Sequence, residues 1–152
     1  MTGALFFGII LLDQVVKLAV KMNMTPGESI PLIPQIFHFT YVLNPGAAFG
    51  ILENQRLFFI VAGVFILLFF GMLYPRMKKQ DPWLHYGCIA LLGGAVGNLI
   101  DRIYNGLVVD FFDFRIWPVF NIADIAIVAG VGCMLYAILF KMEGANARCR
   151  RK

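Results

Sequence analysis

Charged side chains are scarce in this sequence: they account for 14% of its 152 residues, whereas 60% of the residues are hydrophobic. Soluble domains carry about 25% charged residues, so this balance excludes an ordinary soluble protein. We therefore predict an integral membrane protein. Its length fits one membrane domain that covers residues 1–152.

Nucleophiles and metal ligands are also scarce. Ser29 is the only serine, and no lysine or histidine motif surrounds it, which disfavours serine chemistry. His38 and His85 fall on opposite sides of the membrane in the topology predicted below, so they do not form a histidine-rich zinc site. We expect no metal and no cofactor. No disulfide is expected either, because every cysteine lies in a span or in the tail: Cys88, Cys133 and Cys149.

Four apolar stretches are long enough to cross a bilayer, since about 20 residues at roughly 1.5 Å each match a hydrocarbon core of about 30 Å. They cover residues 4–20, 57–74, 83–103 and 122–140. No Lys or Arg precedes the first stretch, and Asp13 interrupts it. We interpret it as a retained helix and not as a cleavable signal peptide. The segment "YPRMKKQDP" is predicted to be a short turn between spans two and three.

The orientation follows from the excess of Lys and Arg on the cytoplasmic side of membrane proteins. One side carries Arg76, Lys78, Lys79, Lys141, Arg148, Arg150, Arg151 and Lys152. The other side carries only Lys21, Arg56 and Arg115 outside the helices. Both termini are therefore predicted to be cytoplasmic, with a basic tail at 141–152 and with residues 21–56 and 104–121 outside. The net charge of +4 suits anionic membrane lipid and requires no nucleic-acid partner.

Two outer segments have strand character. Residues 36–44 and 107–114 are rich in β-branched and aromatic residues and are bounded by proline, glycine or asparagine. The predicted fold class is an all-α integral membrane protein with four transmembrane helices and a small extracytoplasmic β-sheet on the membrane surface.

Polar residues of the spans are expected to gather in the outer leaflet. Ionisable residues inside spans are costly and by default suggest a functional site. Residues three or four apart share a helix face, so three groups result: Asp13 with Lys17; Asn98 with Asp101 and Arg102; and Asn121 with Asp124. Asp110 follows in the outer loop. Gly93, Gly94 and Gly97 permit a close approach to Asn98, so we predict a polar pocket roofed by the sheet.

Each group also has a purely structural interpretation. Asn121 and Asp124 form a capping-box pattern at the start of span four, which weighs equally with a catalytic role. Asp13 and Lys17 are most simply an ion pair with the lysine reaching outward to water.

Three further motifs favour ordinary structure over function. Asn44 and Gly46 flank a proline and form a turn. Asp113 is interpreted as a solvated loop acid. His85 and Cys88 are three residues apart, but they lie near the cytoplasmic end of span three, where packing explains them better than a thiol nucleophile does.

Carboxylates remain as the candidate catalysts. Two acids held close together do not both ionise cheaply, so one keeps its proton while the other activates water. Asp110 and Asp124 are best placed for this. A proton or ion pathway is an alternative, but the inner halves of spans two to four carry almost no charge. A non-catalytic scaffold and a metal-dependent hydrolase are also left open.

Five motifs resemble the lipoprotein signal peptidase family, also called signal peptidase II, in order and spacing. They are "DQVVK" (13–17), "NPGAAFGIL" (44–52), "GGAVGNLIDR" (93–102), "VVDF" (108–111) and "FNIAD" (120–124). The resemblance implies an aspartic peptidase of the bacterial cytoplasmic membrane. It would remove signal peptides from prolipoproteins, N-terminal to a cysteine that carries a diacylglyceryl group.

The resemblance also implies roles for individual residues. Asp110 and Asp124 would be the catalytic pair. The substrate would be surrounded by Asn44, Gly46, Asn98, Arg102 and Asn121. The supporting residues would be Asp13, Lys17, Gly94, Gly97 and Asp101. The expected partners are a lipidated prolipoprotein, membrane lipid and globomycin-type cyclic peptide inhibitors, and we expect a monomer with its site at the outer leaflet.

Overall fold

In the part of the chain that the structure describes, four helices form a bundle that carries one small sheet. The computed structural model describes residues 2–46, 52 and 54–142. The helices are α1 (Thr2–Asn23), α2 (Arg56–Gln80), α3 (Pro82–Tyr104) and α4 (Ile122–Tyr136), and α4 continues as a π-helical segment, Ala137–Met142. The strands are β1 (Ser29–Ile33), β2 (Phe37–Asn44) and β3 (Val108–Asp113). All four helices are long and apolar enough to cross a membrane, which confirms the predicted multi-pass fold.

Helix α3 is the centre of the bundle, because α1, α2 and α4 all pack against it. It begins with a side-chain cap, since the Asp81 carboxylate accepts from the backbone N–H of Trp83 at 2.7 Å. Small residues bring α3 and α4 together: a Cβ atom on Gly130 would lie 2.5 Å from the carbonyl oxygen of Gly87. Around this contact an apolar cluster is buried, consisting of Leu84, Cys88, Leu91, Met134 and Ala137.

The sheet lies at one end of the bundle, hereafter the sheet end, where α1 and α3 end and α4 begins. Its strands are antiparallel in the order β1-β2-β3. Val20 of α1 is buried together with Tyr41, Val109 and Phe111 of the sheet, which fixes the sheet on the bundle. A bridge between Phe112 and Phe120 links β3 to the segment that precedes α4.

The end of α2 differs from the prediction. The helix continues through Pro75 to Gln80, so the predicted turn between spans two and three is wrong, and only Asp81 separates α2 from α3. Proline removes one backbone hydrogen bond, a loss confined here to the last turns of the helix. Lys78 and Lys79 then follow in the last turn, where the negative end of the helix dipole favours cations.

Strands β2 and β3 confirm the two predicted strands, but β1 was not predicted. Its Pro31 looked like a boundary in the sequence, whereas the structure pairs Pro31 with His38. Because β1 is an edge strand, it tolerates a residue that lacks a backbone N–H. The side of the membrane that the sheet faces stays a prediction.

Asp113 is a buried structural acid, so its interpretation as a solvated loop acid was wrong. It accepts hydrogen bonds from the Thr40 hydroxyl at 2.8 Å and from the Arg115 backbone N–H at 2.8 Å, and its carboxylate pairs with the Arg115 guanidinium at 3.0 Å. Burial opposes ionisation, but these partners outweigh it and hold the pKa of Asp113 below its usual value.

Candidate active site

The polar residues predicted from the sequence meet at the sheet end. Asp110 comes from the middle of β3, and its side chain is buried. Asp124 lies in the first turn of α4, while Asn98 comes from the last third of α3. Asn44 is the last residue of β2. Two helices and two strands therefore bring these residues from across the sequence into one cluster.

The start of α4 is built by a reciprocal capping box. The Asn121 side-chain oxygen accepts from the Asp124 backbone N–H at 2.9 Å, and the Asp124 carboxylate accepts from the Asn121 backbone N–H at 3.1 Å. The second carboxylate oxygen of Asp124 accepts from the Asn98 amide at 2.7 Å. The structural interpretation of this motif is therefore confirmed, and the cap also fixes the direction of the Asp124 carboxylate.

Asn121 connects the two acids. Its amide nitrogen donates to one oxygen of Asp110 at 2.6 Å, while its amide oxygen caps Asp124. The other oxygen of Asp110 accepts from the Asn44 amide at 2.9 Å. Asn121 is fully buried and does not line the cavity described below, and its predicted contact with a substrate stays a prediction. Asn121 thus holds both carboxylates in a fixed relation, that of Asp110 through its side-chain amide and that of Asp124 through its backbone N–H.

Asp110 is a carboxyl group with an unusual affinity for protons. Burial and then the charge of Asp124 raise its pKa, the amides of Asn44 and Asn121 oppose both effects, and the net result is a pKa of about 7. Near neutral pH, Asp110 is therefore partly protonated, as required of one member of an acid pair that shares a proton.

Lys17 lies deep in the cluster, which makes its predicted outward reach wrong. Its side chain is only 1% exposed, and its ammonium group lies 2.9 Å from Asp13 and 3.0 Å from Asp101. It also donates to the amide oxygen of Asn98 at 3.0 Å. The three donors of the ammonium thus find three acceptors inside the protein, so the lysine has no need of water. The amide nitrogen of Asn98 is consequently left to face Asp124.

The two acids around Lys17 also hold the backbone beside the candidate catalysts. Asp13 accepts from the backbone N–H of Ala123 at 2.9 Å, one residue before Asp124. Asp101 accepts from the backbone N–H of Val109 at 3.2 Å, one residue before Asp110. Asp13, Lys17 and Asp101 therefore form a buried scaffold that fixes both acids through their neighbours.

The predicted glycines permit this close approach. A Cβ atom on Gly94 would collide with the carbonyl oxygen of Ala123, and one on Gly97 would lie 2.7 Å from the Asp13 carboxylate. Gln14 was missed by sequence reasoning although it stands inside the first motif. Its amide donates to Asp13 and to the carbonyl oxygen of Gly97, each at 3.1 Å, and so joins α1 to α3.

Arg102 lies at the opposite wall of the cluster. Its guanidinium donates to the carbonyl oxygen of Gly46 at 3.2 Å and stacks 4.5 Å from the ring centre of Phe59. Arg56 was also missed: it donates to the carbonyl oxygens of Arg102 and Ile103 at 2.9 and 2.6 Å and so caps the end of α3. Both contacts join residues distant in sequence, so no local pattern signals them.

A cavity of about 400 Å³ opens between these walls, hereafter the site cavity. Both acids line it, together with four of the five residues predicted to surround a substrate. The lining comprises Asn44, Gly46, Asn98, Arg102, Val108, Asp110, Trp117, Pro118, Val119, Phe120, Asp124, Ile127 and Val128. Fold and site together define the class: a multi-pass membrane protein with a carboxylate pair suited to acid–base chemistry.

Comparison with known proteins identifies the family. The family model described as signal peptidase (SPase) II matches residues 5–140. A lipoprotein signal peptidase of Pelotomaculum thermopropionicum is 46% identical over 143 residues, which cover 94% of either chain. One of Halothermothrix orenii is 49% identical over 127 residues, which cover 84% of this chain and 87% of the relative. The chain belongs to the signal peptidase II family and is a membrane peptidase.

Solved structures support the same assignment. A structure described as a bacterial membrane enzyme at 2.3 Å resolution superposes with a TM-score of 0.88 at 31% identity, covering 94% of this chain and 90% of the other. A second bacterial membrane enzyme, at 1.9 Å resolution, gives a TM-score of 0.83 at 32% identity and covers 91% and 92% of the two chains. The four-helix fold with its small sheet and the family resemblance are both confirmed.

Proposed function

We propose that this peptidase removes the signal peptide from diacylglyceryl-modified bacterial prolipoproteins, on the N-terminal side of the lipidated cysteine, with Asp110 and Asp124 as its catalytic pair. One observation carries the proposal: the two carboxylates, both hydrogen-bonded to Asn121, line the same cavity. The names of the relatives, lipoprotein signal peptidases, support the choice of substrate.

The environments of the two acids suggest different starting states. Each carboxylate accepts two N–H donors, but only Asp124 stands in the first turn of a helix, where the helix dipole favours negative charge. Asp110 lies in a strand and faces that charge, and its pKa is raised to about 7. Asp124 is therefore the ionised base, and Asp110 holds the proton, although the pair titrates as a unit.

The reaction then runs through a bound water molecule. Asp124 takes a proton from the water as its oxygen attacks the scissile carbonyl carbon, and protonated Asp110 donates a hydrogen bond to the developing oxyanion. The proton on Asp124 passes to the leaving nitrogen as the peptide bond breaks. No residue is covalently modified, and both acids return to their starting states after the products leave.

The remaining cavity residues orient the substrate. Asn44, Asn98 and the Arg102 guanidinium offer hydrogen-bond donors and acceptors to an extended peptide. Gly46 lines the same wall. Asn121 and the scaffold of Asp13, Lys17 and Asp101 act indirectly, since they hold the acids in place. A globomycin-type cyclic peptide would compete for the same cavity, and the enzyme is proposed to act as a monomer.

The distribution of positive charge supports a site at the outer leaflet of the bacterial cytoplasmic membrane. Lys78 and Lys79 end α2 at the end of the bundle away from the sheet, and Lys141 lies at the same end, in the π-helical segment that continues α4. By the positive-inside rule that end is cytoplasmic, as are both termini. The acids would then meet the substrate where its lipid anchor holds it, at the outer membrane surface.

The test is cleavage of a diacylglyceryl precursor by purified variants. Asp110→Asn and Asp124→Asn are each expected to lower the rate by about 10³-fold or more, because each removes one half of the acid–base pair. Asp113→Asn is the matched control, since that acid lies outside the site cavity; its rate should stay near wild type. Unfolding temperatures verify that all three variants fold. Substantial cleavage by either variant of the pair would overturn the assignment.

A further inference from the structure

A second cavity, of about 460 Å³, adjoins the site cavity on the surface of α4. Its lining consists of Trp117, Phe120, Asp124, Ile125, Val128 and Ala129. Four of these residues, Trp117, Phe120, Asp124 and Val128, also line the site cavity. The two cavities are therefore continuous, and they meet at the carboxylate proposed as the catalytic base.

The second cavity follows one face of α4. Asp124, Ile125, Val128 and Ala129 are spaced so that they share a helix face. From Asp124 to Ala129 the helix rises by about 7.5 Å, since each residue adds about 1.5 Å. The cavity thus begins at the level of the acids and runs along the helix toward the middle of the bundle, in the direction that a lipid tail takes in a bilayer.

The walls of this cavity are open to the surrounding hydrocarbon. Val128 is 71% exposed, Trp117 60% and Ile125 46%. A membrane-anchored molecule can enter sideways through such an opening without leaving the bilayer. Apart from Asp124, every lining side chain is aliphatic or aromatic.

This lining suits an acyl chain better than a peptide. An extended peptide inside hydrocarbon needs hydrogen-bond partners for its backbone. The backbone of α4 is paired within the helix and offers none, whereas Asn44, Gly46 and Arg102 on the other side of Asp124 do offer polar groups. An acyl chain needs no such partners. The peptide part and the lipid part of the substrate would therefore lie on opposite sides of Asp124.

We propose that this second cavity, the acyl groove, binds one acyl chain of the substrate's diacylglyceryl group and makes cleavage depend on the length of that chain. The inference rests on the proposed function. It assigns Ile125 and Ala129, which line the acyl groove but not the site cavity, to recognition of lipid, and it leaves the peptide to the site cavity.

The experiment compares two substrates that differ only in lipid length. Synthetic precursor peptides carry a cysteine with either two hexadecanoyl or two hexanoyl chains, and kcat/KM is measured for each in nanodiscs. Ala129→Phe fills the groove. Val131→Phe is the matched control, because it places the same ring on the same helix about 200° away, at a residue that is 37% exposed.

Wild type and Val131→Phe should both prefer the long-chain substrate. In Ala129→Phe this preference should fall by about tenfold, the effect of removing roughly two methylenes from an apolar site. An unchanged preference in Ala129→Phe would overturn the acyl groove, and so would a wild type that cleaves both substrates equally, as expected if bulk phospholipid fills the groove. A variant that alters selectivity for peptide residues instead would assign the groove to the signal peptide.

Failure of the proposed function would give a different result in the same experiment. In that case the wild type cleaves neither substrate, and both proposals fall together. If the wild type cleaves and only the effect of Ala129→Phe is missing, the catalytic pair stands and the acyl groove alone is rejected.

Discussion

The two ends of the α3–α4 pair are held together by opposite kinds of interaction. Away from the sheet, Leu84 and Cys88 pack against Met134 in an apolar cluster. At the sheet end, the same two helices meet through Asn98 and Asn121, which are buried and hydrogen-bonded. One pair of helices thus carries a dry, non-directional contact at one end and a directional polar network at the other.

This difference gives the two ends different roles: one stabilises the helix pair, and the other positions the candidate catalytic side chains. Apolar and backbone packing around Gly87 and Gly130 fixes the distance between the helices. Buried ion pairs contribute little net stability, yet each hydrogen bond has a required direction. The apolar end therefore stabilises the bundle, while the polar end adds little stability and holds Asp110 and Asp124 in one geometry.

The largest effect is expected from removing the cation of the polar end. Lys17→Met leaves Asp13 and Asp101 buried without their partner, which should lower the free energy of unfolding by about 3–5 kcal/mol. Chemical unfolding in detergent measures the loss. Lys21→Met, on the same helix but partly exposed, is the control and should change the stability little. If Lys17→Met unfolds like wild type, the polar end is not a network of buried charges.

A smaller effect, but a sharper contrast, is expected from two glycines. Gly94→Ala and Gly130→Ala both insert a methyl group between α3 and α4, so each should cost about 1–3 kcal/mol of unfolding free energy. Only Gly94→Ala pushes on Ala123, the neighbour of Asp124. Its kcat should fall about 100-fold, because small displacements of catalytic groups have effects of that size.

Gly130→Ala should retain a kcat near wild type at temperatures where it is folded. Unfolding curves and kcat measured on the same preparations separate the two quantities. Equal losses of kcat in both variants would show that the two ends of the helix pair are not independent.

Much of this architecture could be predicted from the sequence. Hydropathy fixed the four spans, and the spacing of Asn121 and Asp124 indicated the capping box that the structure contains. The spans depend on how each residue partitions between water and lipid, and the capping box depends on residues three positions apart. The same logic predicted the ion pair of Lys17 with Asp13, which the structure contains, but also that Lys17 reaches outward to water, which it does not.

The wrong predictions for Lys17 and Asp113 share a cause, namely partners that lie far away in sequence. Lys17 turns inward because Asn98 and Asp101 of another helix receive it. Asp113 is buried because, besides its near neighbour Arg115, the Thr40 hydroxyl of another strand donates to it. No local pattern encodes such contacts, so they become visible only in the folded protein.

The smallest expected effect concerns the pH above which the carboxylate pair loses catalytic activity. The Asp110 pKa of about 7 means that rising pH removes the shared proton, so kcat/KM should fall on the alkaline side with an apparent pKa near 7.

The Asn44 amide hydrogen-bonds to Asp110 and favours its charged form. Asn44→Ala should therefore raise the Asp110 pKa and move the alkaline limb to higher pH, whatever it does to substrate affinity. Asn23→Ala, an exposed asparagine at the end of α1, is the control and should leave the limb in place. A limb that stays fixed or moves to lower pH in Asn44→Ala would mean that Asp110 is not the group that loses the proton.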